Sequence, residues 1–200
     1  MAYFLDPRGL HADMPIFKRG AGPFALHLSM VGVAMGDRFL QLGCGDGRLF
    51  ATLAGKVGLT GRACGVVPDA TSAGIVQAAA AKQGVLVEIE VAPYEALPCD
   101  DGTFDIALLY HVIAGMTPEQ RVGCLQDAQR ALRPGGRCMV IEVSPRGGLG
   151  GLLSRRRAHE SYVATGGAER ALTEEGYSAV RQLADREGEA FFEALKRRTP

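Results

Sequence analysis

The chain has 200 residues, enough for one domain with a sizeable core, and its 47% apolar and 22% charged content is ordinary for a folded globular protein. Its 22 basic and 22 acidic side chains cancel, which argues against nucleic-acid binding through bulk positive charge. No run reaches the apolar length of a membrane-spanning helix and no leader pattern opens the chain, so the expected compartment is the cytoplasm.

In chain order, residues 1–22 read as an extended arm and residues 23–200 as a single domain. Phe24, Leu28, Val31 and Met35 fall at helical spacing, which predicts a helix over 23–35 ending at Gly36. Residues 37–42 form a first strand, 48–57 a helix, and 63–67 a second strand. The alanine-rich stretch 71–83 is helical and stops at Gly84, and the β-branched alternation of 85–91 predicts a third strand. A fourth strand spans 104–110. Thr117-Pro118-Glu119-Gln120 then carries a capping hydroxyl, a proline at the first helical position and a glutamine three residues after the cap. That helix runs to about Leu132, and 137–143 is a fifth strand. Residues 144–167 read as a long glycine-rich connection, 168–175 as a helix, and 177–184 and 189–195 as a hairpin. Strands alternating with helices and then an antiparallel pair imply an α/β fold: a mainly parallel sheet with helices on both faces.

The stretch Leu40-Gln41-Leu42-Gly43-Cys44-Gly45-Asp46-Gly47-Arg48 joins the first strand to a helix through glycines at alternate positions. Such a turn lets a ligand lie against the backbone, with helix N–H groups and the positive end of the helix dipole aimed at it. Right-handed crossovers place loops 43–47, 67–71, 92–95 and 110–113 on one sheet edge, which is the expected active-site edge. The five cysteines, at 44, 64, 99, 124 and 138, are scattered without metal-binding spacing and read as reduced, mostly buried thiols. Cys44 is a small filler of the turn rather than a nucleophile, although a helix N-terminus can lower a thiol pKa.

The turn, the stretch Ala92 to Asp105 leading into strand four, and Ala131-Leu132-Arg133-Pro134-Gly135-Gly136-Arg137 before strand five occur in order. Together they resemble the class I S-adenosylmethionine-dependent methyltransferases, with the flavour of the quinone-biosynthesis branch. The resemblance covers roughly residues 24–195 and implies a seven-stranded Rossmann-like methyltransferase sheet whose last two strands form the hairpin. It implies S-adenosylmethionine as cofactor and a small molecule as methyl acceptor. It also implies cofactor contacts from Gln41, Gly43, Cys44, Gly45, Gly47, Val67, Asp69, Tyr94 and Glu95. The chain departs from the family at three acidic positions, where it has Gln41, Val67 and Pro93. Each lost charge-assisted hydrogen bond weakens binding by about 1.5–3 kcal/mol. Hence two alternatives stand beside methyl transfer: an inactive scaffold of the same fold, or a pocket for another nucleoside-like ligand.

Several residues carry two readings. Asp69 is either a ribose ligand or the N-cap of the helix that follows it. Gln41 either accepts from the methionine amine or is a core-edge residue. Glu95 either approaches the adenine or caps the next turn. His111 is the candidate proton acceptor, with Tyr110 beside it, or else packs without a chemical role. His11 and His27 are free to approach from the N-terminal side. Arg155-Arg156-Arg157 is either a solvated face or a contact for an anionic substrate or membrane surface. The glycine-rich stretch 147–153 is either a lid or a plain loop.

Overall fold

The computed structural model describes residues 22–144, 162 and 164–198. The arm before residue 22, the glycine-rich stretch 147–153 and Arg155–Arg157 lie outside the described residues. Seven strands form one sheet: β1 (Arg38–Leu42), β2 (Arg62–Val67), β3 (Glu88–Val91), β4 (Phe104–Tyr110), β5 (Leu132–Val143), β6 (Ser178–Arg186) and β7 (Glu189–Leu195). Their order is β3-β2-β1-β4-β5-β7-β6. The first five are mutually parallel, and β7 lies antiparallel between β5 and β6. The described helices are α1 (Ala25–Val31), α2 (Arg48–Val57), α3 (Ala70–Gln83), α4 (Pro118–Ala131) and α5 (Gly167–Glu174), with a 3-10 turn at Ile113–Gly115.

The central strands are buried on both faces, as a parallel sheet covered by helices must be. Alternate residues of β1 go to opposite sides. Phe39 packs with Leu49, Phe50 and Leu53 of α2 and Val76 of α3. Leu40 and Leu42 pack with Cys124, Leu125 and Ala128 of α4 and Leu172 of α5. Fully burying each such side chain contributes about 1.5–3 kcal/mol, so these two layers hold the strand ends in register.

Boundaries shift from the sequence reading by three residues or more in three places. α1 stops at Val31 because Gly32 takes the left-handed conformation and returns its N–H to the Leu28 carbonyl. β3 starts only at Glu88, since the Val85 N–H still closes α3 on the Ala80 carbonyl. β5 begins at Leu132 rather than 137: Leu132 faces Phe104 and Arg137 faces Ile106, with a register irregularity between them. The helix before it starts as its sequence dictates. Thr117 accepts from Gln120 N–H and the Gln120 side chain accepts from Thr117 N–H, a reciprocal capping box.

Candidate active site

β1 delivers the chain into the glycine turn at the carboxyl edge of the sheet. Gly43 has φ +75°, and a Cβ there would lie 2.4 Å from Val112 Cγ1 and 2.5 Å from the Tyr110 carbonyl oxygen. Only glycine permits the end of β1 to sit this close to the end of β4. Gly45 is the reverse case: it is exposed, and the nearest atom to a Cβ there would be Tyr110 Cε1 at 4.0 Å. The turn is therefore tight against the sheet at Gly43 and open above Gly45, with Tyr110 as one wall. Gly47 is the N-cap of α2. Cys44 fills the underside of the turn, and burial pushes its thiol up to about 12, so it is no nucleophile.

The side chains at the three strand ends divide. Gln41 is fully buried; its Nε2 donates to the Gly43 carbonyl over 3.3 Å, while its Oε1 is buried with no partner among the described residues. Val67 is buried in the α2–α3 core layer and offers no polar group. Asp69 is the N-cap of α3, accepting from Ser72 N–H at 2.8 Å and Ser72 Oγ at 3.0 Å. Those bonds, the backbone one foremost, hold its carboxyl below the usual range. Tyr94 is half-buried, and burial raises its phenol to about 12. Glu95 turns the other way, with its Cβ and Cγ 3.2 and 3.3 Å from where a Cβ on Gly123 of α4 would be. The structure thus gathers Gln41, Gly43, Gly45 and Tyr94 around the turn. Val67 stays in the core, Asp69 serves its cap, and Glu95 faces α4.

β4 ends at Tyr110, and His111 follows with φ +56°, an uncommon left-handed conformation for a non-glycine residue. Its N–H still pairs with the Ile141 carbonyl, and its ring stacks on Tyr110 with centroids 4.1 Å apart and planes 20° from parallel. His111 Nε2 lies 2.7 Å from Glu189 Oε1, and His27 Nε2 lies 2.7 Å from Glu189 Oε2. His27 comes from α1 and meets Phe24, Tyr110 and Phe191 edge-on. Burial works to raise the Glu189 carboxyl, but the bonds from His111 and His27 outweigh it and bring it down to about 2. Tyr110 Oη is 3.5 Å from the same Oε1.

A second polar group sits at the end of β5. Tyr162 Oη donates to Glu142 Oε1 over 2.5 Å, and the Arg121 guanidinium lies over the Tyr162 ring, 4.3 Å from its centroid. Arg121 is buried and donates to the Ile113 and Met116 carbonyls, fixing the 3-10 turn just after His111. Burial lifts the Glu142 carboxyl to about 7, against the opposing pull of Tyr162, His111 and Arg121.

The sequence reading placed His111 and Tyr110 at the edge and left His27 open; it passed over Glu189, Glu142, Tyr162 and Arg121. Glu189 opens a strand after a polar turn and has no local signal of a site. His11 lies outside the described residues. Among the described residues there is no cluster suited to a metal ion and no helix long and apolar enough to cross a membrane. A groove of about 340 Å³ between Leu59, Arg62, Leu86 and Glu88 lies at the opposite end of β2 and β3, away from this chemistry.

Comparison with known proteins agrees with this architecture. Residues 39–136 match the family described as "Methyltransferase domain". An uncharacterized 37.1 kDa protein in transposon TN4556 of Streptomyces fradiae is 34% identical over 108 residues, 54% of this chain and 30% of that protein. The ubiquinone/menaquinone biosynthesis C-methyltransferase UbiE of Chromobacterium violaceum is 29% identical over 117 residues, 58% of this chain and 47% of the relative. The chain therefore matches less than half the length of these two curated relatives. A SAM-dependent methyltransferase from Aquifex aeolicus superposes with a TM-score of 0.70 at 16% identity, covering 88% of this chain and 94% of that one. S-adenosylmethionine is the cofactor of this family, and the turn suits it: the backbone is open above Gly45, and Gln41 Oε1 is an unmet buried acceptor. The sheet order and the superposition give the chain the fold of the class I S-adenosylmethionine-dependent methyltransferases, and its residues 39–136, from β1 to the start of β5, match the methyltransferase-domain family.

Proposed function

We propose that this protein transfers a methyl group from S-adenosylmethionine to a small-molecule acceptor, with His111 taking the acceptor's proton. The observation that carries this reading is the placement of His111 and Tyr110 directly beside the open glycine turn. When bound, the cofactor supplies an electrophilic methyl group on a sulfonium. The protein's part is alignment and removal of one proton. Gly43, Gly45 and Gly47 provide the backbone cradle. Gln41 Oε1, buried without a partner among the described residues, would accept from an ammonium, and Tyr94 borders the cradle on the β3 side. Cys44 supports the turn from below. The acceptor would lie between the turn and His111, against Tyr110.

At the ribose end the residues are poorer. Val67 has no hydrogen-bonding group and the Asp69 carboxylate is engaged by Ser72, so affinity rests on the turn, Gln41 and Tyr94. We place the activity in the cytoplasm, consistent with the balanced charge and with the lack of a membrane-spanning helix among the described residues. The test is calorimetric titration with S-adenosylmethionine and its demethylated product. Heat and a raised melting temperature are expected; neither at millimolar ligand would overturn the reading.

A further inference from the structure

We propose that Glu189 is a positioning residue that fixes His111 as the Nε2–H tautomer, leaving Nδ1 as the atom that takes the acceptor's proton. This rests on the reading of His111 as the proton acceptor. An ionised carboxylate can only accept hydrogen bonds. With Glu189 Oε1 hydrogen-bonded to His111 Nε2 over 2.7 Å, the His111 ring carries its proton on Nε2; His27 Nε2 lies equally close to Oε2 but outside hydrogen-bond geometry. The carboxylate is ionised throughout the neutral range, since its two imidazole partners hold it near 2 against the effect of burial.

The geometry is over-determined in a way that packing alone does not require. Tyr110 stacking fixes the plane of the His111 ring, and Glu189 fixes its rotation within that plane. His27 occupies the other carboxylate oxygen and is itself wedged between Phe24, Tyr110 and Phe191. Glu189 is thereby kept from swinging away. The Glu189 and His27 side chains are only 14% and 9% exposed, whereas that of His111 is 34% exposed: the positioning groups are covered and the working ring is open.

The charge balance is favourable. With both rings neutral the array carries one negative charge. When the acceptor's X–H bond breaks, its electron pair stays on X and the proton moves to His111 Nδ1. The array becomes neutral, and the new imidazolium remains hydrogen-bonded to Glu189, which stabilises it as a carboxylate does behind a catalytic histidine elsewhere.

The test is proton–nitrogen correlation NMR of the four imidazoles of the full chain, with signals assigned through His27→Gln and His111→Gln. In the wild type at mildly alkaline pH, His111 should appear as the Nε2–H tautomer. Glu189→Gln keeps the shape but offers one acceptor and one donor. One of the two rings should then change its tautomer, while affinity for S-adenosylmethionine stays the same by calorimetry. A wild-type His111 in the Nδ1–H form, or one averaging between tautomers like free imidazole, overturns the proposal. So does a Glu189→Gln spectrum in which neither ring changes. The wild-type spectrum is decisive by itself should the variant not fold. Failure of the wild type to bind S-adenosylmethionine shows up separately, and removes the methyltransferase reading together with the role that rests on it.

Discussion

Gly43 and Gly45 are two residues apart and share a positive φ, yet their substitutions should behave differently. Alanine at 43 meets Val112 and the Tyr110 carbonyl at 2.4 and 2.5 Å, and that carbonyl is backbone that cannot step aside without moving His111. We expect Gly43→Ala to cost about 2–4 kcal/mol in urea unfolding. Alanine at 45 has space and bears only the left-handed penalty of about 1–2 kcal/mol; its larger effect should be on cofactor affinity. Equal destabilisation by the two changes would contradict the tight and open ends described for the turn. Glu142 gives the pH prediction at the same scale. Its carboxyl rises from 4.5 to about 7 in the fold, chiefly through burial. A raised folded value means the stability is complete below about 4.5 and is lost as pH rises through about 7. The change is on the order of 3 kcal/mol, and Glu142→Gln should flatten it. Glu189 acts in the opposite window, its contribution being present above 4.5 and lost as pH falls towards 2. Urea midpoints measured across pH 3–8, a range of order set by these linkages, separate the two.

At the scale of elements, Asp69 serves as the N-cap at the start of α3. The carboxylate is bound to Ser72 through both oxygens, so Asp69→Ala should lower the melting temperature. Calorimetric affinity for S-adenosylmethionine should hardly change; a large loss of affinity with an unchanged melting temperature would restore the ribose role. Between β4 and α4, Arg121 holds two carbonyls of the turn that follows His111 and stacks on Tyr162. Arg121→Leu removes those donors and leaves buried acceptors unpaired, at about 1–3 kcal/mol for each that stays dry. It should loosen the same loop that carries His111, seen as faster amide hydrogen exchange at 111–116 than elsewhere in the sheet.

At the scale of the molecule, the crossovers bring the ends of β1, β3, β4 and β5 to one edge, and the antiparallel return of β7 brings its first residue there too. Glu189 pairs with Val143 at the end of β5, one strand away from His111. It therefore reaches His111 across 78 positions of sequence. α1 is fastened to the same place by His27 and, farther along, by Arg137 donating to the Val31 carbonyl. Two helical layers, one on each face, make the edge rigid enough for a 2.7 Å array to be held in place.

The sequence by itself determined what depends on local backbone chemistry. Alternate glycines after an apolar strand, β-branched alternation, and the capping box at Thr117 each act within a few residues, so their patterns survive in one dimension. Even the small misses at Gly32, Glu88 and Leu132 are local competitions between caps, helix closure and strand pairing. The tertiary structure alone decided the pairing of Glu189 with His27 and His111 and the burial that raises Glu142. Those depend on strand order and on which face a residue meets after long crossovers, and nothing in the neighbouring residues encodes either. The glycine turn was legible because its geometry lies within its own residues; the joining of Glu189 to His111 and His27 beside it was not, because three distant segments build it.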